Sequence, residues 1–166
     1  LDAGVHPDGG VFLAWKWAEG QPLRLPTKRP AQALRWVLQV AAILEDSHRN
    51  GLVHLLLRPS QILLSGARGE RSVCALLGLG LTSALGLPSK TLGPQVLDYA
   101  APEIRRAEPI ESEAADVFSL GRILRGLLGL ALIGPAGDLS NLVLTLSNSQ
   151  KQALSALLER MLQTSP

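Results

Sequence analysis

The chain has 166 residues, 46% of them apolar and 18% charged, a length for one ordinary domain and a composition too apolar for a disordered chain. Sixteen basic and fourteen acidic residues leave a net charge of only +2, and aromatics are 4%, which argues against a nucleic-acid-binding surface. One cysteine, Cys74, excludes an internal disulfide and a cysteine-based zinc site and suits a reducing, cytoplasmic compartment. The uncharged stretch 72–89 approaches the length of a membrane span. Gly78, Gly80, Gly86 and Pro88 interrupt it, so a buried strand followed by a loop fits better, and no membrane span is expected. The start at Leu1, with no initiator Met and no basic segment leading into an apolar one, reads as the interior of a longer protein rather than a signal peptide.

In chain order, residues 1–23 predict a hairpin. Pro7-Asp8-Gly9-Gly10 supplies the turn, Val11 to Trp15 an apolar strand, and Glu19-Gly20-Gln21-Pro22 its end. A Pro-rich connector leads to a helix whose apolar face is Leu34, Val37, Leu38, Ala41, Leu44 and His48, stopped by Asn50-Gly51. Two short apolar runs, at 62–64 and 73–77, flank a turn at 67–69 and predict a small β-ribbon. Residues 78–102 read as a long irregular loop of the kind usually kept for function. Val117, Leu120, Leu124, Leu127 and Leu128, extended by Phe118 and Ile123, make a helix that is apolar nearly all round and belongs in the middle of a domain. Residues 134–137 break the chain, 141–146 fit a strand or a helix, and Leu154, Leu157, Leu158, Met161 and Leu162 mark a last amphipathic helix.

Several motifs fall in a telling order along these elements. Gly51-Leu52-Val53-His54-Leu55-Leu56-Leu57-Arg58-Pro59-Ser60-Gln61-Ile62-Leu63-Leu64 resembles the catalytic loop of eukaryotic-type protein kinases, usually G-[IV]-V-H-R-D-L-K-P-x-N-I-L-L. Leu77-Gly78-Leu79-Gly80-Leu81-Thr82 stands where that family has L-D-F-G-L-[AST]. Tyr99-Ala100-Ala101-Pro102-Glu103 is similar to Y-x-A-P-E, and Ala115-Asp116-Val117-Phe118-Ser119-Leu120-Gly121 to S-D-V-[YF]-S-L-G. Phe12 to Gly20 looks like the hinge strand and its Glu-Gly turn. The resemblance implies an α+β, mainly α fold: the kinase C-terminal lobe as one domain over 1–166, with a hinge-side hairpin over 1–23, a helical lobe with a small β-ribbon over 24–166, and an N-lobe largely absent.

Phosphoryl transfer in that family uses an Asp as proton acceptor, and an Asn and a second Asp as magnesium ligands. The matching positions here hold Leu56, Gln61 and Gly78, and Arg58 stands in place of the catalytic-loop Lys. Leu56 offers no base and Gly78 no ligand atom. Gln61 keeps an amide oxygen one methylene further out, and magnesium tolerates misplaced ligands poorly. These substitutions lead to the expectation of a pseudokinase, not an enzyme, with no cofactor and no metal. The emptied cleft, greasy at Leu55 to Leu57, is expected either to pack shut or to take an apolar partner side chain.

Scaffold positions survive. The resemblance implies that Asp116 accepts hydrogen bonds from the amides around His54 and Leu55, and that Gly121 and the Ala101-Pro102-Glu103 motif are structural. His54 has no ligand-spaced neighbour and reads as a core histidine, and Cys74 as buried and inert. Trp36 is expected beside its helix. Trp15 and Trp17, one face of a strand by their period of two, are the candidate partner-binding pair, where a missing lobe would leave an apolar edge. The expected function is therefore an inactive kinase-like interaction or regulatory module of bacterial signalling, its partner another protein or another domain of the same chain. The alternative is a nucleotide-binding switch that needs an N-lobe outside the chain. A divergent active kinase and an unrelated helical domain complete the alternatives.

Overall fold

The first turn of the chain, at residues 6–10, is built by local chemistry. Asp8 Oδ1 accepts the Gly10 N–H at 2.9 Å, His6 O accepts the Gly9 N–H at 2.8 Å, and Gly9 takes φ +89°, a conformation that suits glycine. The backbone bond to Gly10, with the His6 side chain, holds the Asp8 carboxyl below its usual range. The turn joins β1 (Asp2–Val5) to β2 (Val11–Ala14), antiparallel with Asp2 opposite Ala14 and Val5 opposite Val11. The computed structural model describes residues 2–14, 16–27, 29–66, 72–82, 93–106, 112–132 and 147–163. Trp15, the turn at 67–69, part of the loop at 83–92, the break at 134–137 and the ambiguous stretch 141–146 lie outside the described residues.

The hairpin differs from its expectation at its far end. The strand stops at Ala14, Trp17 lies beyond it in irregular chain, and Gln21–Pro22 is itself a strand, β3. Trp17 therefore does not lie on that strand. β3 pairs antiparallel with β4 (Ile62–Ser65), which pairs with β5 (Val73–Leu76), Ile62 opposite Leu76. Pro22 lacks an N–H, and a sheet edge is where it is tolerated.

α1 (Pro30–Arg49) starts with Pro at its first turn and stops at Asn50 and Gly51, the latter at φ +71°. Ala33, Val37, Val40, Leu44 and Ser47 are its buried positions, so the buried stripe is turned from the one predicted, and Leu38 is 68% exposed. The apolar set alone cannot fix the phase, because Ala33 and Val40 fit the same period as Leu34 and Leu38. α1 also closes the sheet. Gln39 donates through Nε2 to Ser72 O at 3.0 Å and accepts the Cys74 N–H at 3.0 Å, so one side chain serves β5 as an adjacent strand would.

The described part of the stretch 78–102 is less irregular than its composition suggests. It carries a one-turn helix, α2 (Pro94–Leu97), and α3 (Pro102–Arg105) begins at its end. α4 (Glu113–Leu127) is capped by Ser112, whose Oγ accepts the Ala114 N–H at 3.1 Å. Ten of its fifteen residues are buried, in keeping with a central helix, although Val117 faces outward at 41% exposure. α5 (Asn148–Met161) opens with a reciprocal Ser147–Gln150 capping box and buries Leu154 and Leu158, while Leu157 is exposed. It seats against α4 at Gly121, where a Cβ would stand 3.0 Å from Met161 Cβ.

Two apolar clusters result among the described residues. The larger joins α1, α4, α5 and the three-stranded sheet through Val37, Val40, Leu44, Leu57, Ile62, Cys74, Leu120, Ile123, Leu124 and Leu158. The second gathers Val53, Leu55, Leu56, Ala100, Ala101, Ile104, Ala115 and Phe118. α4 contributes to both, which makes it the element on which the lobe is assembled.

Candidate functional site

The candidate site is built on the irregular segment between α1 and β4. Asp116, in the first turn of α4, is fully buried. Its Oδ2 accepts the His54 N–H at 2.8 Å, and its Oδ1 accepts the Leu55 N–H at 2.6 Å. A third donor, absent from the sequence reading, is His48 at the end of α1, whose Nε2–H reaches Oδ2 at 2.8 Å, with its Nδ1 3.9 Å from Glu113 Oε2. The only clue to His48 in the sequence was its place on the apolar face of α1, since a side chain 68 residues away gives no periodic signal. A buried carboxylate with three donors meets the requirement that charge leave water only with partners.

This anchoring holds an unusual backbone. Leu55 has φ +66°, and the Leu56 N–H donates to His54 O at 2.9 Å, closing a γ-turn centred on Leu55. A branched side chain there costs about 1–3 kcal/mol and persists only where its surroundings over-determine it. Asp116 is what over-determines it.

The neighbouring segment 77–80 is knitted to the same loop. His54 Nε2–H donates to Leu77 O at 2.9 Å, Leu77 N–H to Gln61 O at 2.8 Å, and Gly80 N–H to Val53 O at 3.2 Å. His54 is fully buried, and its Nδ1 has no hydrogen-bond partner among the described residues. The bond to Leu77 O requires the proton on Nε2, which leaves Nδ1 as the bare acceptor.

The apolar side chains of this loop are folded inward. Leu55, Leu56 and Leu57 are buried at 6%, 5% and 0% exposure, the first two in the second cluster and Leu57 in the main core. Arg58 is half-buried, and its Nε donates to Ser60 Oγ at 3.0 Å. Gln61 Oε1 accepts the Arg58 N–H at 3.2 Å. That bond orients the amide, since only the oxygen can face an N–H, and it turns Nε2 toward Gly78, 3.2 Å from where a Cβ would be. The two positions a magnesium ion would use therefore offer a glycine and the donor end of an amide, and the residues present do not fit that ion. Among the described residues no group of three or more His, Cys, Asp or Glu could hold a metal.

The remaining predicted positions lie apart from that loop's polar bonds. Ala101 and Glu103 are buried, at 1% and 4% exposure, and Pro102 opens α3. Gly121 is buried on α4. Trp17 is 85% exposed, and Trp36 is half-buried against the main core. Burial pushes the Cys74 thiol up to about 11. No helix among the described residues is long and apolar enough to cross a membrane.

No known protein-family model matches the chain. It is 32% identical over 128 residues to the serine/threonine-protein kinase PknJ of Mycobacterium tuberculosis, covering 73% of this chain and 22% of PknJ. It is 28% identical over 142 residues to the serine/threonine-protein kinase pkn3 of Myxococcus xanthus, covering 77% of this chain and 25% of that protein. The chain thus spans about a quarter or less of these relatives. Its fold matches the Mycobacterium tuberculosis PknI kinase domain with a TM-score of 0.63 at 22% identity, over 99% of this chain and 62% of that one. These relatives correct one expectation, that the chain is not an enzyme: they are named kinases and point to an enzyme. On its motifs, its fold and its relatives, the chain belongs to the protein-kinase-like family, of which it presents the C-lobe.

Proposed function

We propose that this C-lobe serves as a protein-interaction or regulatory module in bacterial, cytoplasmic signalling, its partner another protein or another domain of the same chain. The observation that carries the reading is a single loop. Its strained backbone is held by a buried carboxylate, while the side chains at 55–57 are folded into the core. What such a loop conserves is shape, and any phosphoryl transfer has to draw its base and metal ligands from other groups. Trp17 supports the same reading, because an aromatic ring left 85% in water is a ready anchor for a partner.

The test is site-specific photocrosslinking in the full-length protein in its own cell, with Trp17→p-benzoylphenylalanine. One discrete protein adduct, or one intramolecular crosslink to another domain, is expected. A smear indistinguishable from a crosslinker placed at the exposed Gln152 would overturn the proposal.

A further inference from the structure

Behind the connector that joins β3 to α1 lies an open groove of about 730 Å³. Its lining includes the apolar Pro22, Pro26, Trp36 and Leu64 and the cations Arg24 and Arg29, and among the described residues it contains no Asp or Glu. We propose that this groove is a docking site for an acidic peptide segment carrying a bulky apolar anchor residue. The inference rests on the reading of the chain as an interaction module but uses a different surface from Trp17.

Charge supplies the first argument. Residues 20–44 contain Arg24, Lys28, Arg29 and Arg35 and no acidic residue, so twelve basic residues face fourteen acidic ones in the rest of the chain. The net positive charge is thus a local feature. Arg24 and Arg29 are exposed, and among the described residues no acidic side chain pairs with either. α1 starts at the same place, with no acidic residue in its first turn and no side-chain cap, so its positive end adds to the field.

The apolar side of the groove gives the second argument. Trp36 and Leu64 are half-buried and packed against the main core, so their exposed faces are held rigidly. Rigid aromatic surface ringed by cations suits an apolar anchor flanked by carboxylates. Proline at 22, 26 and 30 stiffens the connector that carries both arginines, which lowers the entropy lost on binding. Pro22 also lacks the N–H that strand addition to β3 would use at that position, so recognition falls to side chains. A long polyanion fits less well, because beyond residues 20–44 it meets a net negative chain.

The experiment is fluorescence anisotropy of a fluorescein-labelled peptide, Asp-Asp-Glu-Leu-Phe-Glu-Asp-Asp, titrated with the 166-residue chain. Micromolar binding that weakens with added salt is expected. Arg24→Glu with Arg29→Glu should weaken it at least about tenfold with an unchanged circular dichroism spectrum, and Ser-Ser in place of Leu-Phe in the probe should weaken it further. Equal affinity for the Arg-reversed chain overturns the proposal. So does absence of binding, or displacement of the probe by phosphatidylserine vesicles or oligo-dT more effectively than by unlabelled peptide. The crosslink at residue 17 is read separately, so an idle groove with an intact residue-17 adduct sinks this inference alone.

Discussion

Asp116 shows how one carboxylate sets a loop. It satisfies two backbone amides and the His48 ring, and one of those amides belongs to a residue in the left-handed region. Asp116→Ala leaves these donors buried without an acceptor, and a loss on the order of 3–5 kcal/mol is expected in urea denaturation. Asp116→Asn keeps one acceptor oxygen and should lose less. A loss below about 1 kcal/mol for the alanine variant would show that the loop holds itself.

Cys74 gives a pH prediction. Its folded-state thiol is raised from 9.0 to about 11 by burial, so the unfolded chain loses that proton first as pH rises. The thiol's contribution to stability is whole below pH 9 and is lost between about 9 and 11. The urea midpoint should fall across that window, and Cys74→Ala should flatten the fall. Equal slopes for both proteins would contradict the assignment.

At the scale of elements, sequence pattern and structure part company in phase more than in kind. Helices α1, α4 and α5 stand where the periodicity put them, yet Leu38, Val117 and Leu157 face water. A Leu-rich helix has several equally apolar stripes, and only the neighbour it packs against selects one. Gln39 is the counterpart among polar residues: nothing local marks it, yet it holds the open side of β5 at Ser72 and Cys74. Gln39→Leu is expected to cost about 1–2 kcal/mol in thermal or urea unfolding and to raise amide exchange at Cys74, with exchange in α5 unchanged. Unchanged exchange at Cys74 would assign β5's stability to packing alone.

Across the whole molecule, α4 serves two apolar clusters while β1 and β2 form a separate two-stranded sheet. An isolated hairpin is marginal in water, so its stability should be the lowest among the described elements. Hydrogen exchange should show β1 and β2 opening first, and the amides of α4 with those of His54 and Leu55 opening last. Simultaneous exchange of hairpin and α4 would mean a single cooperative unit.

The order of motifs along the chain, residue types at short spacings, was enough to determine the family resemblance, and that resemblance in turn implied the C-lobe class and the loop anchored by Asp116. The sequence also showed that positions 56 and 78 carry no carboxylate. It did not foresee His48 as the third donor, the turning of Gln61's amino group toward Gly78, the burial phase of α1, or the basic groove around Trp36. Each of those is decided by which distant surfaces meet, and a hydrogen bond or a shared pocket between residues far apart in the chain leaves no periodic trace in it.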